Sequence, residues 1–346
     1  MHLSLLPPSA DGAPALEFAR PYLLIRSFAF LPNLTSLIGY SAFRGVLDTV
    51  TPMKISLFAN VFNAVLDPIL IFPLGLGVTG AALATLVAEI ISAVTFMNIL
   101  IKKGLVRWSK LLKIPQWSKL KPLLQGGLAL QLRNFALNLT FLGVTKVTQS
   151  LDSTGVAAAA HALAIQTFQL GGVVLLALST VAQTIIPNEM IERVDPETGK
   201  KTGGKLRARA VSDRLMAWGL VLGATLGAAQ IIIFPLLLKS SPLEEVREAA
   251  RIPSYLASVY QLINGLVFIG EGVMVGTGSF LQLSLNTLVA TVATLQALKT
   301  LPPKFGITGV WMSFGVFNII RLAGVWIHQA YNGPLAPKNL EKENSR

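Results

Sequence analysis

The chain has 346 residues, 52% of them hydrophobic and only 13% charged, with a mean hydropathy of +0.60. Soluble domains carry about a quarter charged residues, and long continuous apolar runs do not fit the alternating segments of about 10 residues in a β-barrel, so both classes are set aside. The net charge of +12 reads as basic loops on one side of a membrane rather than as a nucleic-acid surface, and the absence of cysteine excludes disulfides, thiolate metal sites and a Cys nucleophile.

The expected class is all-α: a polytopic membrane protein of about nine transmembrane helices, since about 20 apolar residues cross a bilayer. Residues 1–16 form an N-terminal tail that resembles neither a signal peptide nor a transit peptide. Spanning segments follow at 17–41, 52–74 and 78–101. A loop at 102–121 carries seven basic residues and no acid. Six further segments occupy 122–145, 155–187, 212–238, 252–276, 279–298 and 306–330, and 331–346 is a C-terminal tail. Pro32, Pro68 and Pro235 lie inside or near the ends of segments, where neighbours or water can satisfy the freed carbonyls. Lys and Arg concentrate in the loops 102–121 and 189–214 and in the tail, which puts the C-terminus inside and residue 17 outside.

The stretch Phe43–Glu89 recurs in degenerate form at Val275–Ile319. Gly45 and Asp48 precede the turn GVTG at Gly77–Gly80; Gly276 and Ser279 precede GITG at Gly306–Gly309. Upstream, ARPYL from Ala19 parallels AARIPSYL from Ala249. Three segments therefore echo three others. The second set is preceded by three more, so three further helices are expected upstream of residue 17.

YLLIRSFAFLPNL at 22–34, FRGVLDTVTPMKISLFANVFNAVLDPILIF at 43–72, GLGVTGAALATLVAE at 75–89, AAAAHALAIQTFQL at 157–170 and LINGLVFIGEGVMVGTGS at 262–279 carry a resemblance. The chain is similar to the multidrug and toxic compound extrusion (MATE) transporters, most of all to their DinF-like branch with its plant and algal organellar members. The resemblance implies a partial two-lobe fold: 17–101 as three helices of the first lobe, 102–121 as the inter-lobe loop and 122–330 as the six helices of the second. It implies export of organic cations or other amphipathic solutes, driven by inward H⁺ or Na⁺. The resemblance puts the carboxylate that carries the ion in several members on a first-lobe helix expected upstream of residue 17. The family commonly has Asp where Glu271 stands, and often Asp in place of Ser279.

Three acids lie within segments, Asp67, Glu89 and Glu271, and a carboxylate in a bilayer must face protein or water. Glu271, between Gly270 and Gly272, is either an ion or substrate-cation site or a hydrogen-bonded structural acid. Gln261 and Asn264 share its helical face. Asp67, before Pro68, either satisfies groups freed at the break or joins a network with Asn60 and Asn63. Glu89 reads as an inter-helix structural acid. Arg133 needs a partner or an aqueous cavity, and Gln131, Asn134 and Asn138 run beside it as a polar stripe. His161 is a candidate proton gate, against packing as the alternative. Asn286, Asn318 and Arg321 read as structural. The ion and substrate cavity is thus expected from Glu271, Arg133, Gln261, Asn264, Asn60, Asn63 and Asp67, with no catalytic or metal-ligating set.

Two look-alikes fail. Gly75–Gly80 satisfies G-x-G-x-x-G but joins two membrane segments rather than a strand and a helix. GKKTGGK from Gly199 resembles a P-loop, yet Leu206 replaces the needed Ser or Thr. The reading is a non-enzymatic secondary transporter without an organic cofactor. Its partners are membrane lipids and a small organic solute, cationic among the options, with no nucleic acid and a monomeric state. It is placed in the plastid envelope or plasma membrane with the C-terminus on the cytoplasmic or stromal side. A non-transporting remnant and a lipid-linked-oligosaccharide flippase of the same superfamily are the alternatives.

Overall fold

In the computed structural model, residues 15–107, 109, 115–194, 201–239 and 241–344 are described. Most of the tail 1–16, part of the basic loop and the start of the P-loop look-alike at Gly199 lie outside them. The chain divides into two units, Met1–Pro115 and Gln116–Arg346.

Among the described residues unit 1 has the helices α1 (Ala15–Phe28), α2 (Phe30–Gly45), α3 (Val50–Ile71) and α4 (Gly77–Lys102). α1 and α2 fill the expected segment 17–41 but meet at a 47° bend. Pro32 explains the break, because it has no N–H for the carbonyl of Phe28 four residues back. Ala29 instead bonds to Arg26 over a tighter turn, at 3.2 Å. α4 packs against the other three helices, around a core of Phe43, Ile55, Phe96 and Leu100. The outer face of α3 exposes Leu57, Phe58, Val61, Val65 and Ile69, as expected of a surface solvated by lipid rather than water.

Unit 2 contains α5 (Trp117–Gln149), α6 (Val156–Glu189), α7 (Lys205–Leu238), α8 (Glu244–Gly276), α9 (Phe280–Thr300) and α10 (Pro302–Ile327). A π-turn (His328–Asn332) leads to a short α11 (Pro337–Asn344). Between α6 and α7, β1 (Arg193–Val194) pairs antiparallel with β2 (Lys201–Thr202), with Arg193 opposite Thr202. α8 is the axis of the unit, packed against α6, α7 and α10. Phe168, Tyr260, Trp311, Phe314 and Phe317 form the largest aromatic part of its core.

Among the described residues seven helices are long and apolar enough to cross a membrane, and the bent α1–α2 pair makes an eighth. The ninth expected segment, 122–145, is helical within α5. Its stripe of Gln131, Arg133, Asn134 and Asn138 lowers its hydropathy. α5 starts at Trp117, inside the expected loop, and the expected tail folds back as the π-turn and α11.

The repeat holds in the backbone. Gly77 and Gly306, which open the two G-x-T-G turns, have φ of 50° and 55°, a region that costs an L-residue strain. A Cβ on Gly80 would lie 2.8 Å from the Leu70 carbonyl, and one on Gly309 would strike the Leu301 carbonyl. Two residues after Gly45 and Gly276, Leu47 (φ 61°) and Gly278 (φ 75°) are both left-handed. Six residues before them, Gly39 faces Phe96 and Gly270 faces Val325. The second copy therefore packs as the first does.

Candidate functional site

Each unit holds a polar cavity. The cavity of unit 2 has a volume of about 250 Å³ and lies between α5, α6, α8, α9 and α10. Glu271 on α8 is its centre. The small Gly270 and Gly272 on either side let α10 and α6 close on it, through Val325 and Ser179. Arg321 on α10 grips the carboxylate with two bonds, Nε to Oε1 at 2.7 Å and Nη2 to Oε2 at 2.8 Å. Arg133 on α5 adds a third, Nη2 to Oε2 at 2.5 Å. The guanidinium of Arg321 also lies over the rings of Phe268 and Phe317, 5.6 and 5.1 Å from their centroids.

The two arginines are not equivalent. The Arg321 side chain is 6% exposed and doubly bonded; that of Arg133 is 20% exposed, singly bonded, and its Nε is buried without a partner. One carboxylate and two guanidinium groups leave the cluster with a formal charge of +1. Further unmet polar atoms belong to the same wall: both side-chain atoms of Asn264, and Oδ1 of Asn318. Phe141, Phe168, Phe268, Phe314 and Phe317 supply the apolar part of the lining. A buried polar atom without a partner costs about 1–3 kcal/mol, so these groups are poised for a ligand or water that offers complementary atoms.

Of the expected second-lobe residues, Glu271, Arg133 and Asn264 converge here. Gln261 is fully buried and turns toward α6, its Nε2 donating to the Phe168 carbonyl at 2.8 Å. His161 packs against Trp311, ring centroids 5.7 Å apart, and does not line the cavity. Arg321 and Asn318, read from sequence as structural, belong to the site. The signal for Arg321 was present, since an intramembrane Arg demands a partner; what was missing was which partner.

The cavity of unit 1, about 320 Å³, is lined from α2, α3 and α4 and includes Asn60 and Asn63. Its acid is Glu89 rather than Asp67. Glu89 Oε1 accepts from Arg26 Nη1 at 3.1 Å and from Asn33 Nδ2 at 3.3 Å, while Oε2 has no partner. Asn63 Nδ2 and Asp67 Oδ1 are buried and unpaired, and Asp67 lies outside the cavity lining. Asn33 and Asn264 hold the same place in the two copies, each twelve residues before Gly45 and Gly276. In unit 1 that Asn is spent on a carboxylate; in unit 2 it is free.

A repeated three-helix motif, with a polar cavity in each of two units, defines a polytopic α-helical membrane protein. No family model matches the chain. It is 29% identical over 318 residues to Protein DETOXIFICATION 44, chloroplastic, of Arabidopsis thaliana, a match that takes in 91% of this chain and 58% of that protein. Its fold matches the crystal structure of MATE in the bent conformation with a TM-score of 0.82 at 17% identity, over 98% of this chain and 73% of that one. It also matches a MOP-superfamily transporter from Pyrococcus furiosus, described by a reverse polarity of its binding pocket that suggests a different function. There the TM-score is 0.80 at 17% identity, over 94% of this chain and 73% of that one. The chain is thus similar in sequence to DETOXIFICATION proteins and in fold to MATE structures. It spans a little over half the length of the first curated relatives it matches.

Proposed function

We propose that this protein takes part in secondary transport of an amphipathic solute by alternating access, with the polar end of the solute held in the unit 2 cavity. The carrying observation is the +1 cluster of Glu271, Arg133 and Arg321 inside an aromatic wall with unmet amide atoms. A carboxylate already held by two guanidinium groups has no charge left for an organic cation. The polarity favours a solute whose polar end is anionic or rich in acceptors, with an aromatic or alkyl body against Phe141, Phe168 and Phe314. The reverse-polarity pocket of the Pyrococcus furiosus relative in fold is a parallel within the same architecture.

The coupling cation, H⁺ or Na⁺, is assigned to unit 1. Asn63 and Asp67 stand one turn apart on α3 with unpaired buried atoms, and Glu89 keeps a free oxygen. A flippase for a lipid-linked oligosaccharide is less favoured, because Glu271 pins Arg321 and leaves one net positive charge for a diphosphate. The basic loops favour a C-terminus on the cytoplasmic or stromal side, and a chloroplastic relative favours the plastid envelope. We take the protein to act as a monomer without an organic cofactor.

The test uses the full chain in proteoliposomes under an imposed pH or Na⁺ gradient, with carboxyfluorescein as anionic probe and rhodamine 6G as cationic probe. Faster carboxyfluorescein movement, lost in Arg133→Gln, is expected. Preference for rhodamine 6G, unchanged in that variant, would overturn the polarity assignment; movement of neither probe or of any solute would support the non-transporting alternative.

A further inference from the structure

One end of unit 2 is closed by the chain's own C-terminal segment. After α10 the π-turn reverses the chain, and the N–H of Gly333 bonds back to the His328 carbonyl at 2.7 Å. Leu335, Ala336 and Leu340 are then buried. Leu335 joins an apolar cluster that also holds Ile186 of α6, Ala208 of α7 and Val273 of α8. His328 Nδ1 meets Gln282 Oε1 on α9 at 2.9 Å.

The guanidinium of Arg209 ties this segment to α7. Arg209 Nη1 donates to the carbonyl of Gln329 at 2.6 Å and to that of Leu335 at 3.1 Å, while Nε pairs with Asp213 at 2.9 Å. Asp213 orients the fork; the two carbonyls are what it holds. The cavity lies close by along α6. Gln183 lines it from α6, and Ile186, less than one turn further along, is already in the Leu335 cluster. At 1.5 Å per residue the separation along the axis is about 5 Å.

We propose that residues 333–340 are a latch that seals this end of the unit 2 cavity, and that release of the Arg209 bonds to Gln329 and Leu335 is the step that admits water and solute there. The latch gains its meaning from the cavity being a solute path, but its test reads access alone, so it fails or stands apart from the transport reading.

The chain has no cysteine, so Gln183→Cys places a single reporter thiol in the cavity wall. The full chain in lipid nanodiscs is treated with a charged, water-soluble methanethiosulfonate, and labelling rates are compared. Arg209→Ala should speed labelling by about 10-fold or more, the scale of losing a charge-assisted hydrogen bond. Arg209→Lys should fall between, because an ammonium lacks the fork, and it carries the test if the alanine variant does not fold. Unchanged rates in a folded variant would overturn the latch. So would an equal acceleration at Ala160→Cys, a reporter buried toward the far end of α6, since that would mean general loosening.

Discussion

Glu271 is held by two arginines, and the three side chains stand or fall together. Removing the charge in Glu271→Gln leaves two guanidinium groups facing each other in a buried site. A loss of about 3–5 kcal/mol is expected, as for other buried pairs broken on one side, measured by denaturant unfolding of the purified protein. Replacing Glu271, Arg133 and Arg321 together by methionine should recover most of that loss, since a buried ion cluster adds little net stability over apolar packing. The triple variant should bind no carboxyfluorescein. If Glu271→Gln is as stable as the parent, the cluster is not the rigid centre described above. Arg133 is the member free to exchange partners, because it makes one contact and keeps an unmet Nε, whereas Arg321 makes two bonds to Glu271 and lies over the rings of Phe268 and Phe317.

At the scale of elements, the two copies of the three-helix motif solve the same packing problem with different polar chemistry. Gly80 and Gly309 each let a helix start press on the end of the helix before it. Alanine at either site should destabilise by about 1–3 kcal/mol, as overpacking does, and Gly309→Ala should be the costlier, since its Cβ meets both the Leu301 carbonyl and the Pro302 nitrogen more closely. The turn before the second helix differs. In unit 1 Asp48 accepts from Thr51 N at 3.0 Å and Thr51 Oγ1 at 2.7 Å, and pairs with Lys103 at 2.6 Å. The hydrogen bond from Lys103, then those from Thr51, hold the Asp48 carboxyl well below its ordinary value of 3.8. A lowered folded-state pKa stabilises above the unfolded value and is lost as pH falls through the folded one. The stability gap between the parent and Asp48→Asn should thus be constant from pH 5 to 8 and shrink below about pH 4, read by thermal melts across pH. A gap that persists undiminished at pH 3 or grows there would contradict this. In unit 2 Ser279 leaves that task undone, and Gln282 contacts His328 after the third helix instead.

For the molecule as a whole, four apolar clusters lie within unit 2 and one within unit 1. Residues 116–346 expressed alone should therefore insert in a membrane and unfold in one cooperative transition that Glu271→Gln shifts. A broad, non-cooperative melt insensitive to that substitution would show that unit 2 does not fold independently. Unit 1, with α3 burying little of its surface, should be the less stable of the two when expressed alone.

The helical segments and the internal repeat were legible in the amino-acid order, because hydropathy and glycine spacing are local properties. Glu271, Arg133 and Asn264 stand out in the sequence for the same reason: each is a polar group among apolar neighbours. Their partners do not. Glu271 and Arg133 are 138 residues apart, and nothing in spacing along the chain says that two arginines from α5 and α10 meet one carboxylate on α8. Nor does it say that Glu89 rather than Asp67 turns into the unit 1 cavity, since that depends on which face α4 presents to α2. A side chain's neighbours are set by how helices cross, and a charge changes meaning with its neighbours. Alone, Glu271 reads as a cation site; between Arg133 and Arg321 it becomes the anchor of a positive one.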